Sequence, residues 1–443
     1  MAARTEFPRQ SVHVGVGALA LLLRWLTWPQ AALAALIAVA GNTLLLPRVA
    51  PGLFRPGDLE RPIRSGIVLY PLAVLGLVLA FRERLDIVAI AWVVLAAGDG
   101  FATLVGAHVA SARLPWNGEK SVAGLLAFWG FAGAAGLGIA WWMRDVSPAP
   151  AWWLIAAPVT AAAVAGLVET APIRLDDNVS VAATAGLVLG SLTIVDAATL
   201  AGAADTLAAR LPPAVLANAL VAWAGWRAGT VTPAGAVTGF LIGVAIVAGG
   251  GWPAWTLLLV CFAAAVVATR AGYARKARLG IAEARGGRRG PGNAIANTGA
   301  AAWAALLVPG AANPQALLIA LTAALVTGAS DTIASEVGKA WGRTTYLVTT
   351  FRRVPPGTSG AVSVEGTIAG IAAAAALAGA ATALGLMPAA AIVVVTVAAT
   401  VASLVEGVLG ATLEHRGILD NDALNVVNTA LGAGLALVLW RTV

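Results

Sequence analysis

The sequence from Ala89 to Ala107 reads AIAWVVLAAGDGFATLVGA and places one carboxylate, that of Asp99, inside an otherwise apolar run. Such a run is long enough to cross a bilayer as an α-helix, which takes roughly 20 mostly apolar residues. A carboxylate at membrane depth is costly and normally faces a cavity or a partner rather than lipid. The glycines on both sides of Asp99 allow a ligand or another backbone to approach closely. The stretch therefore predicts a transmembrane helix that carries a buried polar site.

Similar apolar runs recur along nearly the whole chain of 443 residues. Hydrophobic residues make up 59% of the chain and charged residues 11%, whereas soluble domains carry about 25% charged residues. We count roughly 13 to 16 candidate spans, which predicts an all-α, polytopic transmembrane helical protein. The net charge of +7 is densest in a loop beside apolar runs, as the positive-inside rule predicts for a cytoplasmic loop. We therefore expect membrane lipids, and no nucleic acid, as partners.

Four short motifs occur in the same order in the two halves of the chain. The pairs are His13-Val14-Gly15 with Asn297-Thr298-Gly299, Gly98-Asp99-Gly100 with Ser330-Asp331-Thr332, Ser121-x-x-Gly124 with Ser363-x-x-Gly366, and Leu175-Asp176-Asp177-Asn178 with Leu419-Asp420-Asn421-Asp422. Each match is short, but the shared order favours an internal duplication over coincidence. We place the boundary in the irregular stretch near residue 205, which gives two related membrane domains, 1–204 and 205–443.

The first half offers a metal ligand followed by an anion site. Asp99 is a candidate catalytic residue and Mg²⁺ ligand, because magnesium binds through one or two carboxylates together with substrate phosphates. The alternative is a carboxylate neutralised by a neighbouring helix. Lys120 and Ser121 open the next apolar run, where the first amides of a helix can bind an anion. We predict a catalytic role for Lys120 and phosphate binding for Ser121; a lysine that extends to the membrane edge is the alternative.

Polar residues at both ends of the first half complete this set. Glu169 and Asp177 can supply further metal ligands or a base, and we assign the neighbouring Asn178 to nucleotide or phosphate binding. A solvated loop is the alternative at these positions. Arg9 and His13 lie one helical turn apart on one face, so they are also candidates for nucleotide or phosphate binding.

The second half contains the same types of candidate residue in larger number. Asp331 and Glu336 lie in SDTIASEVGK, about 140° apart round an α-helix, and we predict catalytic and metal-binding roles for both. Lys339 extends that surface and is a candidate for nucleotide or phosphate binding, and Glu365 is a further candidate metal ligand. The loop between them is rich in arginine, glycine and hydroxyl groups, which can hold phosphate oxygens. Its candidate phosphate-binding residues are Arg353, Gly357, Thr358, Ser359, Gly360 and Ser363. A cytoplasmic loop that follows the positive-inside rule is the alternative.

Two asparagines, Asn293 and Asn297, also lie one helical turn apart on one face. Their amides are candidates for binding a phosphate or a nucleobase, and amides that pack helices together are the alternative. The single cysteine, Cys261, excludes an internal disulfide, and the three histidines are too scattered in the sequence to suggest a histidine metal site.

The motifs of the first half resemble those of the phytol kinase and dolichol kinase family of polyprenol kinases. The residues that carry the resemblance are Arg9, His13, Gly98, Asp99, Gly100, Ala102, Gly106, Lys120, Ser121, Gly124, Glu169, Asp177 and Asn178. The second half is similar to the DUF92 or TMEM19-like family of membrane proteins, whose plant members act as phytyl-phosphate kinases. This similarity runs through GGRRGPGNAIANTG, GASDTIASEVGK, VPPGTSGAVSVEGTIAG and LDNDALNVVNTALGAG.

Together the two resemblances imply two consecutive kinases in one chain. The first half would convert a prenol such as phytol or geranylgeraniol to its monophosphate, and the second would convert the monophosphate to the diphosphate. The resemblance also implies CTP as the nucleotide triphosphate that donates the phosphoryl group. The residues agree with this function, because phosphoryl transfer needs a metal held by carboxylates, cationic groups and alignment of the acceptor. The sequence contains no GxxxxGK[ST] motif, which excludes a P-loop kinase.

Two other functions stay open at this point. The order of Asp99, Lys120 and Ser121 also resembles the wider phosphatidate cytidylyltransferase superfamily, whose reaction would transfer a cytidylyl group to a lipid phosphate. A transporter is the non-enzymatic alternative, because duplicated halves and midplane carboxylates are typical of secondary transporters. We expect a multi-pass protein of a bacterial or archaeal cytoplasmic membrane. The sequence specifies neither the chain length of the prenol nor the oligomeric state.

Overall fold

The computed structural model describes residues 2–54, 65–172 and 175–441. In these ranges α-helices form nearly all of the regular structure, and the named strands form two short antiparallel hairpins. The predicted all-α, polytopic membrane fold is confirmed. The chain divides into two compact units, residues 1–194 and 195–443. This division lies close to the boundary near residue 205 that the sequence suggested.

The first unit is arranged around one central helix. Its helices are α1 (Ala2–Gly17), α2 (Trp28–Leu44), α3 (Leu46–Val49), α4 (Gly66–Ala80), α5 (Leu85–His108), α6 (Val122–Met143), α7 (Ala151–Glu169) and α8 (Asp177–Ser191), and its strands are β1 (Arg113–Leu114) and β2 (Asn117–Ser121). The central helix is α5, which packs against α1, α6, α7 and α8. Its residues are buried from Asp86 to Ala91 and from Val93 to Gly98, so the aspartate that follows lies inside the unit.

The second unit also surrounds a central helix. Its helices are α9 (Ala197–Gly202), α10 (Ala204–Arg227), α11 (Pro233–Arg270), α12 (Tyr273–Arg278), α13 (Pro291–Leu307), α14 (Pro314–Trp341), α15 (Val364–Ala383), α16 (Ala391–Leu409) and α17 (Asn421–Trp440), and its strands are β3 (Thr345–Leu347) and β4 (Ala361–Ser363). The central helix is α14, which packs against α11, α13, α15, α16 and α17. Its residues from Ile319 to Ser330 are all buried.

Ten helices in the described ranges are long and apolar enough to cross a membrane. This number is below the roughly 13 to 16 runs counted in the sequence, and the helix lengths explain the difference. The element α11 has 38 residues and consists of two helices that meet at a kink at Gly251, where φ is 71°, so the number ten counts two of the apolar runs as one. Other runs fold into shorter helices, such as α4 with 15 residues and α13 with 17 residues.

The same order of elements occurs in both units: a central helix with an aspartate, a hairpin, and a helix that begins after a capping serine. In the first unit these are α5, the β1–β2 hairpin and α6, where Ser121 Oγ accepts a hydrogen bond from Gly124 N at 3.2 Å. In the second unit they are α14, the β3–β4 hairpin and α15, where Ser363 Oγ accepts from Gly366 N at 3.1 Å.

Glycine brings the central helix and the capped helix of each unit into close contact. A Cβ atom added at Gly124 would lie 3.2 Å from the carbonyl oxygen of Ala102, and one added at Gly366 would lie 2.6 Å from that of Ala334. Both alanines are the third residue after the aspartate of their central helix. Small residues permit this kind of approach between membrane helices. The equal spacing supports the predicted internal duplication.

Candidate active sites

Three carboxylates from different helices meet in the first unit. Asp99 lies in α5, Glu169 is the last residue of α7, and Asp177 is the first residue of α8. One oxygen atom of each lies within 4.8 Å of the others. Glu169 is buried, and the other two are half-buried. Carboxylate oxygens at this spacing can coordinate one divalent cation, and a ligand set made of oxygen suits Mg²⁺.

Lys120 supplies positive charge to this cluster. It lies in β2, and its Nζ donates hydrogen bonds to Glu169 and to Asp177, the latter at 3.0 Å. Burial lowers the pKa of Lys120, but the charges of Asp177 and Glu169 outweigh burial and raise the pKa above its ordinary value. The ammonium group is therefore protonated at neutral pH and balances part of the negative charge of the carboxylates.

His13 reaches the cluster from α1. Its Nε2 lies 3.5 Å from Asp99 Oδ2, and its ring packs edge-on against Tyr70. The ring hydrogen-bonds to the backbone of Leu95, whereas Nε2 is buried and has no hydrogen-bond partner. Burial lowers the pKa of His13 to about 4, so the imidazole is neutral at pH 7. Its Nε2 is therefore a hydrogen-bond acceptor that faces a carboxylate, and a hydroxyl group or a cation beside the pair could contact both atoms.

The other residues predicted for the first unit lie beside these groups or cap the helices around them. Ser121 caps α6. Asn178 Nδ2 donates to Asp176 Oδ1 at 2.8 Å, while Asn178 Oδ1 is buried without a hydrogen-bond partner. Arg9 lies one turn before the histidine in α1, within electrostatic range of Asp99. The structure thus gathers the predicted residues of the first half into one polar region.

The second unit contains a cavity of about 340 Å³, which is lined by α14, α15, α16 and the loop 356–363. Asp331 of the central helix forms part of its wall. The other predicted residues in this wall are Lys339, Gly357, Thr358, Ser359, Gly360 and Ser363. The loop turns sharply where φ is 85° at Gly357 and 73° at Gly360, a conformation that favours glycine. Amides and hydroxyls of such a loop can hold phosphate oxygens.

Glu406 of α16 also lines this cavity and is not among the residues predicted from the sequence. Asp331 hydrogen-bonds to the side chains of Glu406 and Ser403, and Asn428 Nδ2 donates to Glu406 Oε2 at 2.5 Å. Two carboxyl groups in direct contact share a proton or bind a cation, because adjacent negative charges repel each other. The signal was present in the sequence, since Glu406 follows the apolar run AIVVVTVAATVASLV and an acid at membrane depth indicates function.

Five of the predicted residues lie outside this cavity: the two asparagines described below, and Glu336, Arg353 and Glu365. Glu336 is buried against other partners. Arg353 is exposed and hydrogen-bonds to the side chain of Tyr346. Glu365 accepts a hydrogen bond from the backbone nitrogen of Arg343 at 3.3 Å. The structure therefore does not bring these three side chains to the carboxyl pair at the centre of the second unit.

Glu336 belongs to a buried network of ion pairs. The fully buried Lys276 of α12 donates from Nζ to Glu336 and, at 2.8 Å, to the carbonyl oxygen of Thr269. Lys339 Nζ lies 3.1 Å from the other carboxylate oxygen of Glu336. The helical period explains the arrangement, because residues five positions apart point about 140° away from each other. Glu336 therefore faces α12, while Asp331 faces the cavity.

We expect Lys276→Met to lower the free energy of unfolding of the second unit by roughly 3 kcal/mol, because removing one partner of a buried ion pair leaves the other charge uncompensated. Thermal unfolding of the protein in detergent measures this loss. Lys339→Met is the matched control, and we expect a smaller effect because that lysine is partly exposed. Equal losses in the two variants would contradict the structural role of Lys276.

Asn293 and Asn297 line a different cavity of the second unit, together with Arg289. Arg289 Nη1 donates to Asn293 Oδ1 at 2.8 Å, and Asn297 Nδ2 donates to the carbonyl oxygen of Asn293 at 2.9 Å. The two amides predicted to bind phosphate or a nucleobase therefore belong to a separate polar group, which lies at the wall of this other cavity.

The fold and these sites define a polytopic integral membrane protein, and comparison with known proteins gives its family. The family model described as integral membrane protein DUF92 matches residues 216–433. An uncharacterized membrane protein of Synechocystis sp. is 43% identical over 210 residues, which cover 47% of this chain and 81% of that protein. The chain therefore belongs to the DUF92 family of integral membrane proteins.

Two plant proteins are also similar to this chain. Protein VTE6, chloroplastic, of Arabidopsis thaliana is 37% identical over 218 residues, which cover 48% of this chain and 66% of that protein. A Glycine max protein named Probable phytol kinase 1, chloroplastic, is 31% identical over 131 residues, which cover 29% of this chain and 43% of that protein. The predicted resemblance to the phytol kinase and DUF92 families is confirmed. No solved structure matches the chain.

Proposed function

We propose that this protein is a membrane kinase that phosphorylates a prenol in its first unit and the resulting prenyl monophosphate in its second unit. The relative whose name contains phytol kinase supports an isoprenoid alcohol as the acceptor. The observation that carries the proposal is a cluster of membrane carboxyl groups in each unit, beside a helix with a capping serine. A site within the membrane suits an acceptor whose apolar tail stays in the bilayer.

The first unit has a ligand set that fits Mg²⁺. Asp99, Glu169 and Asp177 would hold the ion, because their oxygen atoms lie within 4.8 Å of one another. The unpartnered Nε2 of His13 and Oδ1 of Asn178 leave further polar atoms beside them. Bound there, the ion would neutralise charge on the nucleotide phosphates during transfer.

In the first step the acceptor is a hydroxyl group, which has to lose a proton. The hydroxyl oxygen forms a bond to the γ-phosphorus of the donor, the bond from that phosphorus to the bridging oxygen breaks, and the nucleoside diphosphate leaves. His13 Nε2 and Asp99 Oδ2 lie 3.5 Å apart and are both acceptors. This pair can orient the hydroxyl group and receive its proton, as general base catalysis requires.

In the second step the acceptor is a phosphate, which is already an anion and needs no general base. Among the described residues that line the cavity of the second unit, none is a histidine. Asp331 and Glu406 would hold Mg²⁺ there, since two carboxyl groups in contact fit a divalent cation. Lys339 and the loop 356–363 would bind phosphate oxygens. CTP as the donor rests on the family resemblance.

Product analysis with the purified full chain tests the proposed function. The protein is incubated with Mg²⁺, phytol or geranylgeraniol, and CTP labelled in its γ-phosphate. We expect labelled prenyl monophosphate, then prenyl diphosphate, with CDP as the nucleotide product. A lipid that carries CMP, released together with pyrophosphate, would instead indicate a cytidylyltransferase. Absence of any transfer to a lipid, with CTP or another nucleotide, would overturn the kinase proposal.

A further inference from the structure

The cavity that holds the carboxyl pair of the second unit is elongated along α14. It touches this helix from Ser330 to Lys339, nine positions that span about 14 Å at 1.5 Å per residue. At the Lys339 end its wall is the glycine- and hydroxyl-rich loop 356–363. The other end lies at the level of Gly370 of α15, where an added Cβ atom would lie 3.4 Å from the carbonyl oxygen of Ser330. Asp331 follows Ser330, so the carboxyl pair lies close to this second end.

Two apolar side chains at the second end belong to the cavity wall and to the outer surface at once. Ile371 of α15 and Leu404 of α16 line the cavity, and their exposed fractions are 41% and 44%. Among the residues that the structure describes in this wall, these two are the exposed large apolar side chains. Both helices are long and apolar enough to span a membrane, so their exposed apolar side chains face lipid. The cavity therefore borders on the bilayer between Ile371 and Leu404.

The packing of α15 and α16 limits this gap on both sides. In the hydrophobic core the contribution of α15 begins at Ala374 and that of α16 ends at Ala399, and small residues let membrane helices pack closely. On the other side, a Cβ atom added at Gly360 would lie 2.4 Å from the carbonyl oxygen of Gly407 and 2.4 Å from the backbone nitrogen of Ala411. The gap therefore lies between the core and the loop 356–363, which is packed tightly on α16.

We infer that the prenyl monophosphate enters this cavity sideways from the bilayer, through the gap between Ile371 and Leu404; this inference rests on the proposed function. Its phosphate lies beside Asp331 and Glu406, and its isoprenoid tail stays in lipid against the two apolar side chains. A tail that stays in lipid does not have to fit into the cavity of about 340 Å³. It also avoids the free-energy cost of exposing apolar surface to water.

Side entry gives the two substrates separate approaches to the carboxyl pair. CTP is soluble in water and reaches the cavity from the loop end, where Lys339 and the amides of the loop 356–363 hold its phosphates. An oxygen of the prenyl phosphate then bonds to the γ-phosphorus, the bond from that phosphorus to the bridging oxygen breaks, and CDP leaves towards the loop. In phosphoryl transfer the attacking and leaving oxygens lie roughly in line, and approaches from opposite ends of the cavity favour that alignment.

A larger side chain at the gap tests the route of the lipid. Ile371→Trp narrows the gap, so we expect KM for geranylgeranyl monophosphate, measured as its mole fraction in detergent micelles, to rise at least about tenfold with KM for CTP unchanged. Ile368→Trp is the matched control, because Ile368 lies one turn earlier in α15, is 62% exposed and does not line the cavity. Equal KM values for the lipid in the two variants would overturn the inference.

Protection of a thiol at the gap measures lipid binding without catalysis. Leu404→Cys is made in a Cys261→Ala background, which leaves one thiol in the chain. The full chain in phosphatidylcholine nanodiscs is treated with N-ethylmaleimide, and alkylation is followed by intact-protein mass spectrometry. Geranylgeranyl monophosphate, without nucleotide and at ten times its Kd, is expected to slow alkylation about tenfold, because the unoccupied fraction falls as 1/(1 + [L]/Kd). Inorganic phosphate should give no protection, and neither variant thiol should be protected by it.

The control for this measurement is Val405→Cys in the same background. Val405 is the neighbouring residue of α16, is 38% exposed and lies outside the cavity wall, so its thiol should react at the same rate with and without the lipid. Equal protection of the two thiols would indicate coverage of the whole helix by lipid and would overturn the assignment of the gap.

The outcomes separate this inference from the proposed function. Unchanged alkylation of the Leu404→Cys thiol, in a preparation that still phosphorylates geranylgeranyl monophosphate, would overturn side entry and leave the kinase in place. Protection without any phosphoryl transfer would support the gap as a lipid site and count against the kinase. Equal protection by lysophosphatidic acid would overturn the isoprenoid assignment, because the gap would then admit any single-chain phosphate lipid.

Discussion

Replacing Asp99 with asparagine is expected to abolish the conversion of prenol to prenyl monophosphate while the second phosphorylation continues. The amide keeps the size of the side chain but removes one of three carboxylates that meet with Glu169 and Asp177. It also removes the negative charge that faces His13 and leaves one acceptor oxygen instead of two. We expect kcat/KM for the first step to fall at least about a hundredfold, the scale on which loss of one electrostatic group acts in an active site.

Two assays with different lipid substrates, run in parallel, measure this effect. Labelled CTP is supplied with geranylgeraniol in one assay and with geranylgeranyl monophosphate in the other, and only the first should lose turnover. Asp145→Asn is the matched control, because Asp145 is an exposed acid of the same unit that pairs with Arg24 at 2.8 Å. Thermal unfolding checks that both variants stay folded. If the Asp99 variant phosphorylated the prenol at the normal rate, Asp99 would not be a catalytic residue.

Replacing Asp331 with asparagine is expected to stop the reaction at the monophosphate, which then accumulates. Asp331 and Glu406 hydrogen-bond to each other in the cavity of the second unit, so Glu406→Gln should have the same effect. Each change removes a negative charge from a site that has only two carboxyl groups in contact. We expect the second step to slow at least about a hundredfold in both variants.

Glu365→Gln is the informative control for this pair. The sequence made Glu365 a candidate metal ligand, but the structure places it outside the cavity, bonded to the backbone of Arg343. We therefore expect the Glu365→Gln variant to catalyse the second step at nearly the normal rate. An effect as large as that of Glu406→Gln would mean that Glu365 acts in the second step, as the sequence predicted. If Asp331→Asn lost the prenol step as well, the assignment of one step to each unit would be wrong.

The residues of the first site were predictable because their chemistry conflicts with their surroundings. An acid inside an apolar run marks Asp99 without any knowledge of the fold, and short motifs at helix ends mark Lys120, Glu169 and Asp177. The contact between His13 and Asp99 was beyond the sequence, because it depends on how α1 packs against α5. The sequence could name both residues, but only the packing of helices shows that two acceptors face each other.

In the second unit the sequence named neighbours along the chain more readily than neighbours in space. Glu336 was chosen for its nearness to Asp331, although five positions along a helix already place the two on different faces. Glu406 lies 75 positions after Asp331 and joins it only because α16 packs against α14. Arg353 was chosen for its charge, yet it lies exposed in the loop rather than at the cavity.

The close glycine contacts within each unit imply a sequence pattern that helix packing requires and that catalysis does not. A Cβ atom at Gly106 would lie 3.6 Å from Gly124 Cα, and one at Gly366 would lie 3.2 Å from Gly338 Cα. In each unit the pattern is Asp-x6-Gly, then a hairpin, then Ser-x2-Gly. A chain that keeps both glycines and the serine but has lost the aspartate would retain the scaffold without its acid. Such a chain would be a pseudoenzyme, recognisable from its sequence before any assay.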